Sequence, residues 1–204
     1  MTSLSEQAVR RAAAVFEHHD GVMRTSEALA AGIQPRTLYA MRDSGLVERL
    51  SWGVYHLTSH PLAAKPDVAV VLRRVPRGVL CLVSALDFHE VGTQIPVEVH
   101  IALPRDVRPP RIDYPRVRVV HMSPASLGAG VEEHVSEGIR LRVFGVAKTV
   151  ADCFKYRSMV GLDVAVEALR EVVRERRVTP GEIMEFARVD RVQNVLRPYL
   201  EALL

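Results

Sequence analysis

Residues 25–57 read TSEALAAGIQPRTLYAMRDSGLVERLSWGVYHL, and this stretch decides the fold that we predict for the N-terminal part of the chain. Thr25 or Ser26 suits a helix N-cap, because its side-chain oxygen can accept a hydrogen bond from a backbone N–H. The alanine-rich run that follows favours a helix, and Gly32 suits its end. Pro35 then suits the first position of a second helix, where its missing N–H is not needed.

The second helix is predicted to have two different faces. Leu38, Met41 and Gly45 recur at spacings of three and four residues, so they share one face. The opposite face is expected to carry Arg36, Thr37, Ala40 and Asp43. A helix of this kind packs its apolar face on the domain and leaves the polar face for solvent or a ligand.

After the second helix the pattern becomes that of a β-hairpin. Residues 46–50 and 52–55 read as two short strands, which a tight turn at residues 49–53 joins. A short strand at residues 21–23 is expected to pair with this hairpin, and a helix over residues 3–18 precedes it. Helix, short turn, helix and β-ribbon is the order of a winged helix-turn-helix.

This order predicts a DNA-binding surface. A helix fits the major groove, and the N-terminal residues of the second helix reach base edges. We expect Arg36 to pair with guanine, Gln34 with adenine, and Thr37 to contact a phosphate or a base edge. The candidate DNA-binding residues are Thr25, Ser26, Gln34, Arg36, Thr37, Tyr39, Ala40, Arg49, Ser51 and Trp52. A small helical domain that binds a protein is the alternative.

The composition is that of a globular protein without a membrane span. The 204 residues are 48% hydrophobic and 25% charged. No apolar run approaches the ~20 residues that span a bilayer, and the N-terminus lacks the apolar region of a secretory signal. Cys81 and Cys153 lie in apolar contexts and are expected to be reduced core residues. A cytoplasmic location is the simplest interpretation.

The formal net charge of +3 arises in the middle of the chain. Residues 1–60 contain six Lys/Arg and six Asp/Glu, residues 61–122 contain nine and six, and residues 123–204 contain twelve of each. A monomeric N-terminal domain is therefore expected to gain only modest DNA affinity from phosphate neutralisation. We expect a monomer or weak dimer that binds DNA cooperatively, or a contribution from the middle segment.

The middle segment contains a proline- and arginine-rich stretch, PRDVRPPRIDYP, at residues 104–115. Together with the strand that follows, it supplies a candidate second basic surface. The residues of this surface are Arg105, Arg108, Arg111, Arg116 and Arg118. A surface for nucleic acid or an acidic partner is one interpretation, and a solvated loop is the other.

A second domain is predicted to begin near residue 62, where HLTSHPLAAKP reads as a linker. We assign residues 1–62 to the winged helix-turn-helix and residues 63–204 to a mixed α/β domain with a small sheet and C-terminal helices, an α+β fold class. Its strands are expected at residues 95–103, 117–121, 132–135 and 139–144. Its helices are expected at residues 67–75, 80–89, 146–156 and 163–176, after Thr179, and at residues 191–204.

Three local patterns of this second domain make specific predictions. The strand at residues 95–103 alternates, with Val97, Val99, Ile101 and Leu103 on a buried face and Glu98, His100 and Ala102 on a wetter one. Ser123 and Pro124 predict a turn. Thr179 with Glu182 three residues later matches a capping box, which predicts a helix N-terminus.

Three stretches together resemble the AbiEi family of antitoxins, the regulatory half of type IV toxin–antitoxin systems. Residues 38–55, LYAMRDSGLVERLSWGVY, are similar to the family's third helix and wing. Residues 82–104, LVSALDFHEVGTQIPVEVHIALP, resemble its SAL segment with a Pro-led strand. Residues 138–170 resemble its strand, Lys-Thr-x-x-Asp helix and second helix. The order of the three stretches is more specific than the wing alone.

The resemblance implies both a function and partners. The N-terminal domain would bind inverted repeats of double-stranded DNA in the promoter of its own operon and repress it. The C-terminal domain would neutralise a toxin that resembles a nucleotidyltransferase. On this interpretation Lys148, Thr149 and Asp152 belong to a structural segment.

The sequence contains no signature of an enzyme that we can identify. It has no glycine-rich phosphate loop, no G-x-S-x-G and no H-E-x-x-H. His18 and His19 are adjacent, but no cluster of Cys, Asp or Glu with ligand spacing lies nearby. We therefore expect no catalytic residue, no metal and no cofactor. The alternatives are a protein-interaction module with a degenerate winged helix and a nuclease fused to a winged helix.

Overall fold

A computed structural model describes residues 6–19, 21–51, 53–60, 65–108, 111–112, 114–136 and 139–204. The fold is mixed α/β, with helices and two separate sheets. The chain divides into two compact units, Met1–Pro66 and Asp67–Leu204, which we call the N-terminal unit and the C-terminal unit. The functions assigned above to residues 1–62 and 63–204 stay predictions.

The N-terminal unit combines three helices with a three-stranded antiparallel sheet in the order β1-β3-β2. Its elements are α1 (Glu6–His18), β1 (Val22–Arg24), α2 (Thr25–Ala30), α3 (Pro35–Asp43), β2 (Val47–Ser51) and β3 (Val54–Leu57). Phe16 of α1, Leu38 and Met41 of α3 and Leu57 of β3 pack in one apolar core. This core holds α3 against the sheet, as the spacing of Leu38 and Met41 predicts.

The C-terminal unit is built on a five-stranded sheet in the order β6-β5-β4-β8-β7. Its strands are β4 (Val79–Leu80), β5 (Val99–Pro104), β6 (Val117–Met122), β7 (Val131–Ser136) and β8 (Ile139–Phe144). Its helices are α4 (Pro66–Arg74), α5 (Leu82–Phe88), α6 (Pro124–Gly128), α7 (Val146–Lys155), α8 (Arg157–Val160), α9 (Leu162–Arg174), α10 (Pro180–Val189) and α11 (Gln193–Glu201). The β5–β6 and β4–β8 pairs are parallel, and the β4–β5 and β7–β8 pairs are antiparallel.

Both faces of this sheet are covered. The larger core lies between the sheet and helices α5, α7, α9, α10 and α11, and Phe154 and Leu169 are among its buried residues. A smaller core on the other face contains Val71 and Leu72 of α4 with Ile101 of β5. Since β5 lies between β4 and β6 and is covered on both sides, its side chains alternate between two cores rather than between core and water.

The structure corrects the predicted strand at residues 95–103. The strand begins at Val99, and Ile95 and Val97 are 85% and 92% exposed. The predicted wet face is wrong as well, because Ala102 is buried and His100 is only 8% exposed. Alternation along the sequence detected the strand but could not show that helices cover both of its faces.

Local signals at two helix starts had different outcomes. Ser123 and Pro124 do not form a simple turn but begin α6, where the Ser123 hydroxyl accepts a hydrogen bond from the Ser126 N–H. The capping box is confirmed: the Glu182 N–H donates to the Thr179 hydroxyl oxygen at 3.2 Å, and the Thr179 N–H donates to the Glu182 carboxylate at 2.7 Å. Cys81 and Cys153 are buried and unbridged.

No helix in the described part of the chain is long and apolar enough to cross a membrane.

Candidate functional site

A cleft of about 580 Å³ opens on the N-terminal unit. Residues from β1, α2, α3, β2, β3 and the β2–β3 turn line it, so all three strands and two helices contribute. The lining residues are Arg24, Thr25, Ser26, Tyr39, Arg42, Arg49, Gly53 and Tyr55. We call this surface the arginine cleft.

One wall of the arginine cleft forms where β1 passes into α2. Arg24 lies opposite Val54 in the β1–β3 ladder, and Thr25 follows it as the first residue of α2. The Thr25 N–H donates to the Gly53 carbonyl at 2.8 Å, and the Thr25 hydroxyl donates to the same oxygen at 3.3 Å. Gly53 has φ of +69°, a left-handed conformation that favours glycine. The hairpin turn is therefore tied to the start of α2.

The opposite wall consists of α3 and the hairpin strands. Arg49 of β2 pairs directly with Tyr55 of β3 across the ladder. The Arg42 guanidinium lies 5.2 Å from the centre of the Tyr39 ring and donates to Asp43 at 2.6 Å. These hydrogen bonds to Asp43 raise the pKa of Arg42, a side chain that is charged at its ordinary pKa as well.

The cleft brings together positively charged side chains from a segment whose formal net charge is zero. Residues 1–60 contain six Lys/Arg and six Asp/Glu, and three of those six cations line this one cleft. The described lining residues include no Asp or Glu. A concave surface with several guanidinium groups favours anions, and arginine suits phosphate because its planar fork can donate two parallel hydrogen bonds. Three arginines of an electrically neutral unit thus meet at one surface, where Asp43 pairs with Arg42 and the Glu27 carboxylate accepts a hydrogen bond from the Arg24 N–H.

The predicted DNA-binding residues fall into three groups. Thr25, Ser26, Tyr39 and Arg49 line the arginine cleft. Gln34 and Arg36 are exposed at the start of α3, and Ala40 is partly exposed. The side chain of Ser51 and the whole of Trp52 lie outside the described residues.

Thr37 corrects the predicted faces of α3. The residue is only 5% exposed, so its side chain is not available to a base or a phosphate. Thr37 stands four residues before Met41, which is fully buried, and residues at this spacing share a helix face. The buried stripe of α3 is therefore wider than the pair Leu38 and Met41.

Sequence reasoning missed Arg24, Arg42 and Tyr55 as candidate site residues. Arg42 lies one turn after Tyr39 on α3, and this spacing was a usable signal. Arg24 and Tyr55 gave no such signal, because the β1–β3–β2 register alone places them beside the cleft.

The candidate second basic surface is not a single cluster. Arg105 directly follows β5 and Arg116 directly precedes β6, and these strands are parallel and paired from Val99–Val117 to Pro104–Met122. Arg105 and Arg116 therefore lie near opposite ends of the strand pair. Arg105, Arg108, Arg111, Arg116 and Arg118 are all exposed, and the Arg118 guanidinium pairs with Glu98 at 2.7 Å.

The C-terminal unit contains a buried polar cluster. Lys148 Nζ lies 2.5 Å from the Asp152 carboxylate and 3.1 Å from the Asp190 carboxylate, and all three side chains are fully buried. The Ser126 hydroxyl donates to Asp190 at 2.6 Å, and Lys155 Nζ lies 3.2 Å from it. These contacts join α6, α7 and the end of α10. Their burial leaves no access for a substrate.

Comparisons with known proteins agree with the resemblance over the N-terminal unit. Residues 5–58 match a family model described as a transcriptional regulator, AbiEi antitoxin. This match contains the first of the three stretches noted above, at residues 38–55, and does not extend to the other two. No curated protein matches the chain.

The chain is also similar in fold to a solved structure, the crystal structure of the RV2827C protein from Mycobacterium tuberculosis. The TM-score is 0.51, and the match covers 98% of this chain and 83% of that chain. The sequences are 13% identical, so the similarity concerns the fold alone. It extends over both units, whereas the family match is limited to residues 5–58.

Proposed function

We propose that this chain is an AbiEi-type antitoxin that binds operator DNA through its N-terminal unit and represses its own operon. The observation that carries the proposal is the position of α3. It follows α2 after a four-residue connection, packs on a three-stranded antiparallel sheet and leaves its N-terminal residues exposed. This is the arrangement in which a winged helix-turn-helix presents a recognition helix. The family match over residues 5–58 supports it.

On this proposal the start of α3 and the β2–β3 hairpin contact different parts of the DNA. Gln34 and Arg36, exposed at the start of α3, enter the major groove and read base edges. The β2–β3 hairpin, which carries Arg49, lies along the backbone or the minor groove. Thr37 is not proposed to contact a base or a phosphate, because it is buried. Inverted repeats would place two copies of α3 in successive major grooves.

The remaining parts of the proposal concern the partner. The C-terminal unit is proposed to neutralise a nucleotidyltransferase-like toxin, as the resemblance implies. Binding to DNA as a monomer or weak dimer with cooperativity is proposed as well, since the N-terminal unit has no net charge in residues 1–60.

The test is a binding titration with labelled DNA from upstream of the gene against a scrambled duplex, by fluorescence anisotropy. Arg36→Ala is expected to weaken operator binding by about 1–3 kcal/mol and to relax the preference over scrambled DNA, if Arg36 reads a guanine. Arg10→Ala is the matched control, because Arg10 is an exposed cation on α1 that pairs with Glu6. Equal binding of both duplexes by the unmodified protein would contradict the proposal.

A further inference from the structure

We propose that the arginine cleft is a phosphate-binding site, which takes a backbone phosphate of bound DNA or a phosphate of a free nucleotide. Only the DNA source rests on the proposed function. The site is distinct from the base-reading start of α3, because Gln34 and Arg36 do not line it. It includes Arg24 and Arg42, which the sequence analysis did not select.

Three guanidinium groups converge on the arginine cleft. Arg24, Arg42 and Arg49 come from β1, α3 and β2, so separate elements bring three guanidinium groups to one concave surface. Guanidinium is the preferred side-chain group for phosphate, since it stays charged at all physiological pH values and donates two parallel hydrogen bonds to two oxygens. Thr25 and Ser26 add hydroxyl groups that can donate to further phosphate oxygens.

The walls of the arginine cleft are tied together without a ligand. Two hydrogen bonds from Thr25 to the Gly53 carbonyl fix one wall. The Arg42 guanidinium lies against the Tyr39 ring and donates a hydrogen bond to the neighbouring Asp43. A side chain that is already ordered loses less conformational entropy on binding, and this increases affinity.

The volume of the arginine cleft suits a small phosphate ligand. A volume of about 580 Å³ falls within the range of about 300–1,000 Å³ that small-molecule sites occupy. A flat contact with one DNA phosphate would not require such a volume. A nucleotide phosphate with its sugar fits this dimension, whether it belongs to a DNA strand or is free in solution.

The two sources have different consequences. A phosphate from the DNA backbone adds affinity that is independent of base sequence and sensitive to salt. A phosphate from a free nucleotide competes with DNA, because Thr25, Ser26, Tyr39 and Arg49 belong to both the cleft and the candidate DNA-binding set. Repression would then respond to nucleotide concentration.

The experiment uses the full chain and three single variants, Arg24→Gln, Arg42→Gln and Arg49→Gln. Arg10→Gln is the control, because it removes the same charge from α1, outside the cleft. Operator and scrambled duplexes are titrated at several salt concentrations by anisotropy. Tripolyphosphate and ATP are titrated separately by calorimetry. Circular dichroism melts establish that each variant folds.

Three results would support phosphate binding in the arginine cleft. Each cleft variant is expected to lower the slope of log affinity against log salt by about 0.9, because one arginine no longer neutralises a phosphate. Affinity for both duplexes is expected to fall by the same factor, so that the preference for operator is unchanged. Arg10→Gln is expected to behave as the unmodified protein. If tripolyphosphate or ATP also gives heat that the cleft variants abolish, the free nucleotide is a source; if neither gives heat, DNA is the source.

The outcomes separate this proposal from the proposed function. One outcome is that all three cleft variants bind operator selectively with an unchanged salt slope and that tripolyphosphate and ATP give no heat. This outcome would reject the phosphate-binding site and would leave the proposal of operator binding unchanged. Failure of the unmodified protein to bind any duplex, together with tripolyphosphate binding that the variants abolish, would retain the cleft and reject operator binding. If the variants bind DNA, tripolyphosphate and ATP as the unmodified protein does, the proposed phosphate-binding site is rejected.

Discussion

At the residue scale, Lys148 is a charged side chain in the core of the C-terminal unit. It is fully buried, lies between the Asp152 and Asp190 carboxylates, and is 4.5 Å from the centre of the Phe144 ring. A buried ammonium group is tolerated only with such partners, since an unpaired charge in the core costs several kcal/mol. Lys148 and Asp152 of the resemblance are thus joined by a direct contact within α7, while Asp190, whose pKa is lowered, supplies the ionised counter-charge from much later in the chain.

Lys148→Met is expected to destabilise the C-terminal unit by about 3–5 kcal/mol, because it removes the counter-charge of the buried Asp190 carboxylate while keeping the volume similar. Urea unfolding followed by circular dichroism measures the change. Lys155→Met is the matched control: its side chain also contacts Asp190 but is 28% exposed, so the loss is expected to be smaller. Equal losses in the two variants would show that burial does not determine the effect.

The pH dependence of stability follows from Asp152. Burial, opposed by Lys148, raises the pKa of this carboxyl from its ordinary 3.8 to about 8. The folded state therefore holds a proton that the unfolded state has released, and the stabilisation is complete below pH ~4 and lost as pH rises towards 8. Asp190 differs: burial acts against its ionised form, but Lys148 and Ser126 lower its pKa, so its contribution is lost only in acid.

Asp152→Asn is expected to remove this decline in stability between pH 5 and 8. The amide keeps the shape of the carboxyl but does not titrate. Unfolding free energies from urea titrations at pH 5, 6, 7 and 8 measure the slope in both proteins. A slope that persists unchanged in the variant would assign the pH dependence to another group.

At the element scale, a local end signal predicted the start of α10 correctly, whereas the N-cap of α2 is Arg24 and not the predicted Thr25 or Ser26. Thr179 and Glu182 exchange hydrogen bonds at the start of α10, so residues within one helical turn specify this end without help from the rest of the fold. Helix α3 begins similarly at Pro35, behind the extended Gln34. Such local signals are readable from sequence, because both partners are close together in the chain.

Thr179→Ala is expected to destabilise the C-terminal unit by about 1 kcal/mol, because the Glu182 N–H loses its acceptor. Thermal and urea unfolding measure the difference. Thr179→Ser serves as the control, since its hydroxyl can still accept the same hydrogen bond. A serine variant as unstable as the alanine variant would show that the methyl group, rather than the cap, matters here.

Strands were less predictable than helix starts. The two-residue β4 was not predicted, although it is the central strand that joins β5 to β8. Two residues carry no periodicity, so only the neighbours that pair with Val79 and Leu80 define them as a strand. The same holds for β5, whose two buried faces depend on helices distant in sequence.

At the scale of the whole molecule, the two units are expected to have separable functions. Removal of residues 1–62 is expected to abolish promoter binding and to leave toxin neutralisation partly intact. Growth rescue of cells that express the toxin measures neutralisation, and a promoter-reporter fusion measures repression. Loss of rescue with repression retained would reverse the assignment of the units.

The sequence by itself determined the order of the N-terminal elements, the burial of Leu38 and Met41 on α3, the capping of α10 and the resemblance over residues 38–55, because each depends on residues close together in the chain. Only the tertiary structure decided that Thr37 is buried, that β5 is covered on both faces and that Lys148 meets Asp190. It also placed Arg24, Arg42 and Arg49 around one cleft in a unit whose charges sum to zero over residues 1–60. The physical reason is that electrostatic potential and burial depend on distances in space, which sheet register and helix packing set and local sequence does not.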